Sequence, residues 1–144
     1  VPHCWGKEAA SGEGVQEVMK LVVIESPLSP ANGRTFEQNI NYARLCCLDS
    51  IERRNEAPMA SHLLYTQLLD DTNKEHRTLG ISAGFAWGNK CDLVAVYTDF
   101  GISSGMALGV DTANSRGTAV EYRTLPADLM ALVETGPVKK TEGM

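Results

Sequence analysis

The amino-acid sequence predicts a single α/β domain of Rossmann-like, flavodoxin-type order: a mostly parallel sheet in the order 2-1-3-4, with room for a fifth strand and helices on both faces. Three observations carry this. Leu21 to Ile24 and Leu93 to Tyr97 are short apolar runs, rich in β-branched residues and without alternation, as expected of central strands covered on both sides. Segments of helical period lie between the strand-like runs. Loops rich in Pro, Gly, Ser and Asn separate the two.

In chain order, residues 1 to 18 are rich in Gly, Ser and Glu without a sustained period, and read as an N-terminal extension. The domain is expected over residues 19 to 135, with a loose tail from 136 to 144. Lys20 to Glu25 forms the first strand, and Ser26 to Gly33, with two prolines and a glycine, a loop. From Arg34 to Arg54, apolar residues at Phe36, Ile40, Ala43, Cys47, Leu48 and Ile51 recur at helical steps, predicting one long amphipathic helix. Ala57 to Ala60 is a short second strand that leaves His62 and Tyr65 just past its end. Asp70-Asp71-Thr72-Asn73 offers caps for a helix over Lys74 to Lys90, in which Gly80, Gly84 and Gly88 line one face suited to close packing against a helix or subunit. Asp92 to Thr98 is the third strand. A helix follows the Asp99 to Ser104 loop and stops at Gly117. Thr118 to Arg123 is the fourth strand, and Pro126 to Glu134 a short final helix.

Composition narrows the functional classes. A formal charge of −5, with Lys and Arg scattered, argues against binding nucleic-acid polymers, which need a basic stripe. No apolar stretch approaches the roughly 20 residues of a membrane helix. The start of the chain lacks the pattern of a secretory signal, and Cys4, Cys46, Cys47 and Cys91 lack CxxC spacing. A cytoplasmic protein with reduced thiols is expected. Asp70-Asp71 reads as caps rather than a cation site, and neither a metal nor a cofactor is expected.

In a sheet of this order, the helices after strands 1 and 3 leave on opposite faces, and a crevice opens at the carboxyl ends of those strands. The expected site is therefore where Glu25-Ser26-Pro27 meets Asp99-Phe100-Gly101-Ile102-Ser103-Ser104-Gly105. The helix N-terminus after Gly101 favours an anion such as a phosphate, with Ser103 and Ser104 adding hydroxyls, although a plain helix cap explains the serines equally well. Ligand contacts are expected from Ser26, Pro27, His62, Gly101, Ser103, Ser104, Gly105 and Met106.

Three segments resemble the nucleoside 2-deoxyribosyltransferase-like superfamily, over roughly Lys20 to Leu125. Val23-Ile24-Glu25-Ser26-Pro27 is similar to that superfamily's opening strand end, Lys90 to Val96 to its aspartate-led strand, and Ser103 to Ala113 to its S-x-G-x-x-x-E-x-G-x-A helix. The resemblance implies a pocket for a nucleoside or nucleotide, cleavage or exchange of the N-glycosidic bond through a glutamate nucleophile, and a homodimer or larger assembly. Two positions depart from the pattern. Gly109 stands where the nucleophilic glutamate belongs, and Glu25 replaces a small residue. Asp111 lies about 200° around the helix from position 109 and is no substitute. Glu25 could supply the missing carboxylate, hydrogen-bond a sugar hydroxyl, point to solvent, or pair with Arg34. Asp99 could bind sugar or cap a turn. Two functions follow: a nucleotide-binding protein without catalysis, or an N-glycosidase or deoxyribosyltransferase acting on deoxynucleoside monophosphates with Glu25 or Asp99 as its carboxylate.

Overall fold

The computed structural model describes residues 18–139; the expected extension lies outside them except for its last residue, as does the tail from residue 140. Four strands, β1 (Leu21–Glu25), β2 (Ala57–Met59), β3 (Leu93–Tyr97) and β4 (Ala119–Arg123), form one parallel sheet in the order β2-β1-β3-β4. No fifth strand is present among the described residues. Pro58 lies in β2, an edge strand, where its missing N–H costs little.

Four helices connect and flank the strands: α1 (Phe36–Leu48), α2 (Lys74–Gly88), α3 (Ser104–Arg116) and the single turn α4 (Ala127–Met130). The chain runs from β1 outward to β2, then back across β1 to β3. Right-handed crossovers therefore put α1 on one face and α2 with α3 on the other. The two halves of the core follow. Val22, Ile24, Ala95 and Tyr97 pack with Tyr42, Leu45 and Cys46 of α1 and Leu129 of α4, whereas Val94 and Val96 pack with Met106, Val110 and Ala113 of α3. Alternation along β1 puts Val23 and Glu25 on the α3 side.

The local starts and stops are chemical. Thr35 and Gln38 cap α1 reciprocally: the Gln38 amide donates to Thr35 Oγ1 at 3.1 Å, and the Thr35 amide to Gln38 Oε1 at 2.8 Å. Asn73, not either aspartate, caps α2. Gly117 ends α3 with φ 75°, a left-handed geometry that costs a glycine nothing.

The expected long helix over 34–54 is corrected in two ways. Its last turn, Asp49–Arg53, widens into a π-helix, and its buried face keeps Ile40, Ala43, Cys47 and Leu48 of the predicted stripe but loses both ends of it and takes in polar residues instead. Phe36 and Ile51 are exposed, while Asn39, Asn41, Asp49 and Ser50 are buried. Periodicity counts only apolar side chains, and these polar ones are buried because they are fully bonded. Asn39 donates to Leu28 O and Ser29 O, both at 3.0 Å, and so pins the loop after β1. Asp49 accepts from Tyr97 Oη and Arg54, and Ser50 donates to Glu56, which also holds Arg123 through both oxygens at 2.7 and 2.8 Å. Among the described residues no fully buried side-chain nitrogen or oxygen lacks a partner.

The glycine stripe of α2 is used within the chain. A Cβ on Gly84 would lie 3.3 Å from Ser61, and one on Gly88 2.7 Å from Arg116 Nη1 of α3. Glycine lets α2 approach both the segment after β2 and the neighbouring helix.

Candidate functional site

A cavity of about 490 Å³ opens at the carboxyl ends of β1 and β3, within the range of small-molecule sites. One wall is the end of β1 and its loop, with Glu25, Ser26, Leu28 and Ser29. A second is the N-terminus of α3, with Ser103, Ser104, Gly105 and Met106. The third is built from the two 3₁₀ turns after β2, Ser61–Leu63 and Tyr65–Gln67, together with Arg77, Gly80 and Ile81 of α2.

Glu25 is the central group. Its side chain leaves β1 on the α3 side and meets that helix where position 109 has no side chain. A Cβ built on Gly109 would overlap Glu25 Oε2 and lie 2.6 Å from its Cδ. Gly109 is buried because it shares the sheet-facing side of α3 with Met106, Val110 and Ala113. The carboxylate therefore occupies the volume that a side chain at 109 would use. It makes no hydrogen bond among the described residues, and burial alone pushes its pKa from 4.5 up to about 7. An ionisable carboxyl held without a partner costs folding free energy, and such groups concentrate at functional sites.

Ser26 is buried, and its Oγ lies 2.9 Å from His62 Nε2. Burial holds the imidazole down to about pH 4, so it is neutral near pH 7. Ser103 caps α3: its Oγ accepts from the Met106 amide at 3.3 Å, and its own amide donates to Met106 Sδ at 3.4 Å. Ser103 is thus both cap and cavity wall. Ser104 and Gly105 are exposed beside it, at the positive end of a 13-residue helix.

Three expected site residues are not in the cavity wall. Asp99 is spent on structure: Tyr42 Oη donates to it at 2.6 Å and the Leu125 amide at 3.0 Å, while its own amide donates back to Tyr42 Oη at 3.1 Å. These bonds tie the loop after β3 to α1 and to the segment after β4, a different role from the turn capping expected of Asp99. Gly101 is a turn residue with φ 83°, its amide donating to Thr98 O. Pro27 is buried and has no N–H to offer. Arg34 does not pair with Glu25, because its Nε donates to Asn39 and its guanidinium lies 4.5 Å from the centre of the Phe100 ring. Asp111 is exposed, away from Gly109. We expect Asp99→Ala to lower stability by about 2 kcal/mol, since it strands the Tyr42 hydroxyl and the Leu125 amide, and to leave ligand binding intact. A thermal melt beside a binding isotherm checks both halves.

Arg77, Gly80 and Ile81 enter the wall without having been singled out as site residues. Their signal was present: positions 77, 80, 81 and 84 share the helix face marked by the glycines, the face α2 turns toward the site.

A family model described as Domain of unknown function (DUF7768) matches residues 20–123, the span of all four strands. No curated protein matches. No helix among the described residues is long and apolar enough to cross a membrane.

Proposed function

We propose a catalytic role for this chain, which belongs to the family described as Domain of unknown function (DUF7768): cleavage of the N-glycosidic bond of a deoxynucleoside monophosphate, with Glu25 as the carboxylate that meets the sugar. The observation that carries this reading is the placement of Glu25, an unpartnered carboxylate set into the cavity against Gly109. Glycine at 109 argued from sequence for a pocket that had lost its nucleophile. With the Glu25 carboxylate in the volume a residue-109 side chain would need, the two departures from the superfamily pattern offset one another. On this reading the carboxylate is supplied from the strand rather than from the helix.

The chemistry is that of a retaining glycosidase. Ionised Glu25 attacks the anomeric carbon as the carbon–nitrogen bond breaks, forming a glycosyl ester. The departing nitrogen keeps the electron pair and takes a proton from water. Water then cleaves the ester and returns the carboxylate, or another base accepts the sugar. The N-terminus of α3, with Ser104 and Gly105, suits the 5′-phosphate, and the wall also carries one exposed cation, Arg77, and one exposed carboxylate, Asp71.

The test is incubation with the four deoxynucleoside monophosphates and chromatography for free base. Base release that scales with protein and is lost in Glu25→Gln supports the proposal. Binding of nucleotides with no release under any condition would leave a binding protein in its place.

A further inference from the structure

We propose that the Ser26–His62 pair reads the edge of the ligand's heterocycle, which makes His62 a specificity-determining residue of the cavity. This rests on the nucleotide reading above and goes beyond it by assigning the wall of the cavity that recognises the base.

The cavity is lined by chemically different walls. Glu25, Ser103, Ser104 and Gly105 are polar and suit sugar and phosphate, whereas the wall that carries His62 adds Tyr65, Leu69 and Ile81, apolar surface suited to a flat ring, beside the charged Asp71 and Arg77. His62 and Tyr65 come from the paired 3₁₀ turns, which are tied down by several contacts. Thr66 Oγ1 donates to His62 O at 2.6 Å, Trp87 Nε1 donates to Tyr65 Oη at 2.7 Å, and Ser61 is seated on Gly84 of α2. Ser26 fixes the ring from its other side through Nε2. The second ring nitrogen, Nδ1, makes no hydrogen bond among the described residues and is not fully enclosed, and His62 lines the cavity, so Nδ1 is the ring atom left free to meet a ligand there.

A neutral imidazole offers one donor or one acceptor at Nδ1, whichever the Ser26 hydrogen bond leaves. That matches an uncharged base edge. A phosphate subsite would instead favour the protonated ring, which this burial opposes. Fixed orientation lets such a contact discriminate, because the wrong base leaves a partly buried nitrogen unpaired.

The experiment uses the whole chain carrying Glu25→Gln, so that no turnover occurs, and calorimetric titration with dAMP, dGMP, dCMP, dTMP and the baseless 2-deoxyribose 5-phosphate. In the parent, the best and worst bases should differ clearly. Adding His62→Phe should shrink that ratio by about tenfold while affinity for the baseless sugar phosphate is retained. Ser26→Ala, a milder change that keeps the test usable if His62→Phe does not fold, should shift the same ratio in the same direction. An unchanged ratio, a ratio near one in the parent, or an equal loss for the baseless compound would overturn the proposal. Should no nucleotide bind, the nucleotide reading falls and this one with it. Discriminating binding without base release in the wild type removes only the catalytic role of Glu25.

Discussion

Replacing Glu25 by Gln is expected to do two opposite things: reduce base release by about a thousandfold or more, and stabilise the fold above neutral pH. The first follows from removal of the group that captures the anomeric carbon. The second follows from its burial. Folding raises the Glu25 pKa from 4.5 to about 7, so the folded chain holds this proton more tightly than the unfolded chain does. The stability from that proton is fully present below pH 4.5 and is lost as pH rises to about 7, leaving a penalty of up to about 3 kcal/mol above that pH. Gln carries no such penalty, so the two proteins should melt together near pH 4 and diverge by pH 8 with the variant ahead. His62, whose pKa is lowered to about 4, destabilises both proteins alike in acid and cancels from the comparison. Wild-type base release should rise with pH through about 7 as the nucleophile ionises. A variant that melts lower than wild type at pH 8, or releases base at the wild-type rate, would refute the assignment.

Much of the frame was legible because it rests on short-range rules. Leu21 to Glu25 and Leu93 to Tyr97 read as buried parallel strands, Gly117 as a stop, and the 2-1-3-4 order follows once strands alternate with helices. The crevice was legible for the same reason, since topology alone opens it between β1 and β3. What escaped depended on partners far away in the chain. Asp99 looked free until Tyr42, 57 residues earlier, closed on it. Asn39 and Asp49 looked like polar interruptions of an apolar stripe, yet each is buried because groups outside the helix satisfy it: the carbonyls of the loop after β1 for Asn39 and the Tyr97 hydroxyl, 48 residues on, for Asp49. The relation of Glu25 to Gly109 lay between these cases. Alternation puts Glu25 on the α3 side of β1, and the spacing of Met106, Val110 and Ala113 puts Gly109 on the sheet side of α3. Only the packing distance shows that carboxylate and missing side chain share one volume.

That shared volume makes Gly109→Ala a sharper probe than its size suggests. The new methyl would overlap Glu25 Oε2 and approach its Cδ to 2.6 Å. α3 cannot retreat, because Met106, Val110 and Ala113 fix it to β3, so the flexible carboxylate must move. Stability should hold or rise, since Ala is favoured over Gly in a helix interior by up to about 1 kcal/mol and the displaced carboxylate gains access to water. Activity should fall by about a hundredfold, the scale of loss when a reacting group is misplaced by about an ångström. A glycine conserving only helix packing would show no such split. The same geometry predicts an exchange: Glu25→Ala/Gly109→Glu returns a carboxylate to that volume from the helix side, and should release base at least about tenfold faster than Glu25→Ala alone, a coupling read directly from a double-mutant cycle. If the double variant folds but is no faster than Glu25→Ala, the carboxylate cannot be supplied from either wall, and the strand position of Glu25 is itself required for the reaction.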